Sequence, residues 1–340
     1  MRLGIRLPPC GPAKEVAAAA AKAEQLGFAE VWFPDSQLLW RDVFVTLTAA
    51  AEATERVQLG TAVTNLQTRH PAVLASAARS VAEIAEGRFV LGLGVGNSSV
   101  VPVGLRPSTQ AQMREGIAVL RGLLGGEDVD FNGVRSALRD PGVPPKLMMA
   151  ASGPGNLRLA GEVTDGAILL SGISPTTLAS SRAKVAEGAA AAGRSLDDLQ
   201  MVVSTFAHVT DDVARDARQL KPICAGIAQI GGGAALAVAG IHVEVPRQIP
   251  EVYPDLVHAE DWDAAVELCG QWVSDEDALR FATEFCLFGT PDEILARIAD
   301  VEAAGATSVF LQHVGSYSLP HELMESFADV FARMQQAPRG

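Results

Sequence analysis

Val57-Gln-Leu-Gly-Thr-Ala-Val63 is an apolar run of strand length, Pro71 opens an Ala-rich run of helical spacing that Gly87 closes, and Arg88-Phe-Val-Leu-Gly-Leu93 is strand-like again. The proline suits a first helical turn, where its missing N–H costs nothing, and the glycine suits a C-cap. Strand, helix, strand is therefore the unit. Working outward, it repeats. Towards the N-terminus, strands are expected at residues 3–7 and 30–33 and helices at 14–26 and 43–53, with Gly27 closing the first helix. Towards the C-terminus, helices are expected at 110–124, 155–162, 175–191, 291–304 and 323–334, and strands at 146–150, 166–170, 200–208 and 308–313. Asn132-Gly133 marks a turn or small hairpin.

Eight strands separated by helices, in a chain of 340 residues, predict a (β/α)8 TIM barrel with insertions; the rival is a doubly wound open sheet. Residues 1–340 read as one barrel domain, and 211–288, where no strand is obvious, as a mainly helical insertion within it. In such a barrel the chemistry sits on loops that follow the strands. The residues just after each strand are therefore the candidates.

A composition of 48% hydrophobic and 20% charged residues excludes wholesale disorder. The 27 Lys and Arg against 40 Asp and Glu give a formal charge of -13. A field of that sign repels phosphate backbones and anionic lipid, and no basic cluster relieves it, so neither a nucleic-acid nor a membrane partner is expected. Small anions can still bind through backbone N–H groups. Cys10, Cys224, Cys269 and Cys286 are widely spaced without a CxxC pair, which suits a reducing cytosol. The start of the chain lacks a signal-like apolar region, and the apolar run 225–245 is broken by Gly231-Gly-Gly233, so a cytoplasmic location is expected. The histidines show neither HxxxH nor HExxH spacing, so no metal site is expected, and the absence of a GxSxG elbow argues against that type of hydrolase.

Strand four ends in Gly92-Leu-Gly94-Val-Gly96-Asn97, whose spacing departs from a dinucleotide fingerprint. It serves either tight packing at a barrel rim or the approach of a planar ring or phosphate to the backbone. Ala150-Ala-Ser-Gly-Pro154 and Ser171-Gly172 offer N–H groups for an anion, or are ordinary strand-to-helix turns. Asp35 and Trp40 put a carboxylate and an indole on one loop, which suits a flat heteroaromatic ligand; a capping carboxylate and a buried anchor are the alternatives. His208 and His313 end strands seven and eight, as a general acid or as structural imidazoles.

Several segments together carry a resemblance. Val31-Trp-Phe-Pro-Asp35, Leu59-Gly-Thr-Ala-Val-Thr-Asn65 with Thr68-Arg-His-Pro71, Gly87-Arg-Phe-Val-Leu-Gly-Leu-Gly-Val-Gly96, Ala150-Ala-Ser-Gly-Pro154, Ala160-Gly-Glu-Val-Thr-Asp-Gly166 and Gly289-Thr-Pro-Asp-Glu293 stand in family order. They resemble the luciferase-like (β/α)8 oxidoreductases, in the branch that uses coenzyme F420, a 5-deazaflavin. The segment 63–71 is similar to methylenetetrahydromethanopterin reductases, and the spacing from Asp35 to Trp40 to F420-dependent glucose-6-phosphate dehydrogenases. The resemblance implies a cis peptide at Ala62-Val63 beneath the central ring, with Asp35, Thr64 and Asn65 around the ring system. It implies Val95, Gly96 and Asn97 along the other side, and Ala150, Ala151, Ser152, Gly153, Ser171 and Gly172 near the ribityl-phosphate tail.

The activity implied is hydride transfer between F420 and a small organic substrate, with Asp35, Trp40, Arg6 and Asn97 as the catalytic set and Trp40 as a wall. A homodimer built through helices near strands two to four is also implied. The chain departs from the family at Arg6, where the reductases carry an acidic residue, and at Ser36, Asn97 and Ile173, where the sugar-phosphate dehydrogenases carry His, Glu and Lys. Arg6 would then hold an anionic substrate or stabilise developing negative charge. Two other readings stay open: an FMN-dependent monooxygenase of the same superfamily, and an idle barrel that binds a cofactor or partner.

Overall fold

In the computed structural model, which describes residues 1–336, the expected strands close on themselves; 337–340, the end of the expected domain, lie outside the described residues. The barrel strands are β1 (Arg2–Arg6), β2 (Glu30–Phe33), β3 (Gln58–Thr61), β4 (Phe89–Gly94), β5 (Lys146–Ala151), β6 (Gly166–Leu169), β7 (Gln200–Val209) and β8 (Ser308–Gln312). Each runs parallel to the next. β8 returns to β1, with Arg2 opposite Ser308 and Ile5 opposite Leu311. The fold is a (β/α)8 barrel.

The helices on the outside are α1 (Ala13–Leu26), α2 (Val43–Ala53), α3 (Pro71–Ile84), α4 (Gln110–Leu124), α5 (Pro154–Val163), α6 (Pro175–Ala191), α7 (Pro291–Ala303) and α8 (His321–Gln336). Prolines at the first turn start α3, α5, α6 and α7, and reciprocal Thr–Gln and Thr–Glu capping boxes fix α4 and α7. Gly27, at φ 107°, closes α1. In α2, one of the helices near strands two to four, the apolar residues Val43, Phe44, Leu47, Ala50 and Ala51 are taken up by the core, while Val45 stays exposed.

Two departures from the sequence reading matter. The run expected as one strand over 57–63 stops at Thr61, and the chain resumes as a short strand, Thr64–Asn65, now paired with Leu93 and Gly94 of β4. The Thr61 hydroxyl is locked to Gly92, donating to its carbonyl at 2.7 Å and accepting from its N–H at 2.8 Å. A Cβ on Gly92 would lie 2.1 Å from the Thr61 carbonyl oxygen, so only glycine permits this approach. The second departure is a strand, Leu287–Gly289, inside a stretch that showed none; it extends the sheet along Ala207–Val209 of β7. The helices before it, among them Lys221–Ile227, Trp262–Cys269 and Asp275–Phe285, enclose a second apolar core around Leu220, Leu236, Phe281 and Phe288.

Strand alternation decides what fills the barrel axis. A Cβ on Gly4 would meet Glu30 at 2.9 Å and Phe310 at 3.1 Å, and one on Gly60 would meet the Trp32 ring at 2.4 Å. These glycines thus make room for bulky inward neighbours. Trp32 stacks on Phe310 at 5.5 Å, and with Val90, Met148, Ile168 and Val202 they form a dry plug. Below it, Glu30 accepts the Trp32 indole N–H at 2.9 Å and lies 3.1 Å from the Arg2 guanidinium. Above it, on the same face of β1 as Gly4, stands Arg6.

Candidate active site at the mouth of the barrel

Asp35 follows β2 and is only 4% exposed. Its Oδ2 accepts from Arg69 Nε at 2.8 Å and from the Thr64 hydroxyl at 2.7 Å, and its Oδ1 accepts from Arg69 Nη2 at 3.1 Å. Arg69 also donates to Asp42 at 2.9 Å and packs on the Phe44 ring. Burial works against the guanidinium charge, but hydrogen bonds and attraction from Asp35 and Asp42 outweigh it and push the Arg69 pKa up. Both Asp35 oxygens are engaged within the protein, so Asp35 ties the loops after β2 and β3 together. Arg69 was not among the expected site residues, although it lies in the quoted Thr68-Arg-His-Pro71; a buried carboxylate's need for a counter-charge was the available signal.

Asn65 is equally committed. Its Oδ1 accepts the backbone N–H of Gln67 and Thr68, each at 2.9 Å, and its amide donates to Thr68 and Ser99 hydroxyls at 3.0 Å. Gly94 and Gly96 are packing glycines: a Cβ would come within 2.5 Å of Val63 at Gly94 and 2.3 Å of Val100 at Gly96. The Ala62-Val63 peptide is cis, as the resemblance implies. Ala62, Val63, Val95 and Gly96 are half-buried, and Asn97 is exposed with its carbonyl accepting the N–H of Val101. Of the positions that differ from the sugar-phosphate enzymes, Ser36 is buried against Ser98 at 2.8 Å and Ile173 is packed in the core, so neither carries an acid or base.

On the next side of the mouth, Ala150 and Ala151 are buried while Ser152 and Gly153 are exposed. A Cβ on Gly153 would meet nothing within 4 Å. α5 starts there without a side-chain cap, and Pro154 has no N–H, so the amides of Gly155 and Asn156 lack intrahelical partners. Ser171 and Gly172 lie below the surface, where Gly172 makes room for the Phe285 ring, 2.7 Å from where a Cβ would be. Leu170, one residue earlier, is 49% exposed.

Arg6 and Trp40 meet on the opposite side. The Arg6 Cζ lies 5.2 Å from the centre of the Trp40 ring. Trp40 is buried; its indole N–H donates to the Ser316 carbonyl at 2.7 Å, and its edge meets the His258 ring at 5.5 Å. His258 is in turn held by Asp255, and Tyr317 donates to the His258 carbonyl at 3.0 Å. The segment after β7 thus supports this wall, which nothing in the sequence of Trp40's own loop announces. His313 lies near Arg6; burial first, and the Arg6 charge second, lower its pKa to about 4, so the imidazole is neutral at physiological pH. His208 lies against Asp216 at 3.5 Å and the Phe288 ring instead.

A closed parallel barrel with its strand-end loops braced by hydrogen bonds defines a (β/α)8 architecture. A family model for luciferase-like monooxygenases matches residues 1–308, and the chain belongs to that family. The 5,10-methylenetetrahydromethanopterin reductase of Methanolobus tindarius is 34% identical over 327 residues, 91% of this chain and 93% of that protein. The F420-dependent glucose-6-phosphate dehydrogenase of Beutenbergia cavernae is 37% identical over 225 residues, 59% of this chain and 66% of that protein. In fold, the chain superposes on the coenzyme F420 dependent tetrahydromethanopterin reductase of Methanopyrus kandleri with a TM-score of 0.78, covering 98% of this chain and 99% of that one at 24% identity.

Proposed function

We propose that this protein is an F420-dependent oxidoreductase that moves a hydride between the deazaflavin and a small organic substrate at the barrel mouth. The observation that carries the reading is the platform of small and apolar residues above the Trp32–Phe310 plug. Half-buried Ala62, Val63, Val95 and Gly96 and exposed Gly153 and Leu170 give one side of the mouth small and apolar residues suited to a flat ring. The F420-dependent relatives support the choice of cofactor.

Bound there, F420 supplies a hydride on a ring carbon that reacts poorly with oxygen. The protein's own residues do the rest. The Ala62-Val63 backbone and the Val95-Gly96 edge would hold the ring. The Asp35–Arg69–Thr64 and Asn65–Ser99 networks hold those loops rigid, which keeps donor and acceptor in a reactive pose. The free amides at the start of α5 suit a phosphate of the tail. Buried Trp40 would wall off the substrate side from water.

Fluorescence titration of the purified protein with oxidised F420, reduced F420 and FMN tests this reading. Saturable one-site binding of F420 at least about tenfold tighter than FMN is expected. Binding of FMN alone overturns it and favours an oxygen-using monooxygenase.

A further inference from the structure

We infer that the substrate taken by this mouth is an anion, a small organic carboxylate whose oxygens are bound by the in-plane N–H groups of Arg6. The inference rests on the proposed hydride-transfer site and names the class of molecule that occupies its substrate side.

The argument starts from charge balance. The chain carries 40 acidic and 27 basic side chains, so an internal cation has no shortage of acids to pair with. Arg69 takes two, Asp35 and Asp42, and Arg2 takes the buried Glu30. Arg6 takes none. Among the described residues it makes no ion pair, and its buried Nε has no hydrogen-bond partner. Burial alone displaces its pKa, to about 10, with no contribution from a neighbouring acid, and it remains charged at neutral pH. Arg6 is half-buried with its Nε fully enclosed, and an uncompensated guanidinium in that position is costly; such a group is kept where a ligand supplies the missing charge.

Geometry points the same way. Arg6 is on the inward face of β1, above the plug and therefore towards the ends from which the strand-end loops leave. The Arg6 Cζ lies over the Trp40 ring, 5.2 Å from its centre, in a cation–π contact. A cation–π contact takes up no N–H donor, and the unpartnered Nε belongs to the fork arrangement that matches a carboxylate. His313, the titratable group beside it, is neutral and adds no competing charge. An acid at this position would repel an anionic substrate, whereas this chain's Arg6 attracts one.

F420 itself carries anionic groups on its tail, so the test separates the two sources. Protein saturated with F420 is titrated with acetate, succinate, benzoate and nicotinate, and with the primary amide of each, following tryptophan fluorescence. At least one carboxylate should bind about tenfold or more tighter than its amide. Arg6→Gln should lose that binding about ten- to a hundredfold, Arg6→Lys should restore part of it, and F420 affinity should change less than about threefold in both. Equal binding of acids and amides, unchanged carboxylate binding in Arg6→Gln, or no binding by any of the four acids overturns the inference. A tenfold loss of F420 affinity in Arg6→Gln does so too, because the guanidinium would then serve the cofactor. Carboxylate binding in a protein that refuses F420 would instead overturn the cofactor reading and leave the anion site standing.

Discussion

The two ends of the barrel interior treat the same side chain in opposite ways. At the floor, Arg2 meets Glu30, whose carboxylate also accepts the Trp32 indole, and the charge is settled inside the protein. At the mouth, on the same face of the same strand, Arg6 has no ion-pair partner among the described residues. The dry plug of Trp32, Phe310 and their neighbours separates the two. The contrast teaches how to tell a structural charge from a functional one within a single fold: the first is compensated by the chain, the second awaits a partner. Arg69 belongs with the first kind although it sits at the mouth, since Asp35 and Asp42 neutralise it.

Paired and unpaired arginines should respond differently to removal. Arg69→Met strands the buried Asp35 carboxylate and should cost about 3–5 kcal/mol of stability in urea unfolding. Arg6→Met removes an uncompensated charge and should cost less than about 1 kcal/mol or stabilise the fold. Equal losses would break the comparison.

A smaller effect concerns pH. His313 has its pKa lowered from 6.5 to about 4, so the unfolded chain takes up a proton at this position before the folded one does. The stability it contributes is complete above pH 6.5 and is lost as the pH falls towards 4. His313→Gln should flatten that part of the stability curve. Arg6→Met should raise the imidazole pKa, as read by NMR titration, because the repelling charge is gone; an unmoved pKa would separate the two residues.

The smallest effect is expected at the floor. Burial raises the Glu30 carboxyl above its usual range, and Arg2 and the Trp32 indole offset part of that rise. Glu30→Gln should change stability by less than about 1 kcal/mol at pH 7 and leave F420 affinity untouched. A tenfold change in affinity would show that the plug does not isolate the two ends.

The sequence revealed the features that depend on local chemistry. Pro71, Pro175 and Pro291 open helices and Gly27 closes one, so the alternation that makes the barrel was visible without any tertiary information. Leu287–Gly289 was not visible, because three residues cannot display a two-residue period and its pairing with β7 is set by distant packing. The break after Thr61 depends on Gly92, far along the chain. The same holds at the mouth. Asp35 and Trp40 stood out by residue type and by following a strand, and Arg6 as a departure from the family pattern, but the partners Arg69, Ser316 and His258 come from other loops, and only the fold brings them near.

Hydrogen–deuterium exchange with and without saturating F420 tests the central claim that the mouth alone receives the cofactor. Slower exchange is predicted at the amides around 62–69, 95–100 and 152–156, with the floor ends of the strands unchanged. Protection elsewhere with those loops unaffected, or protection produced only by FMN, would contradict it.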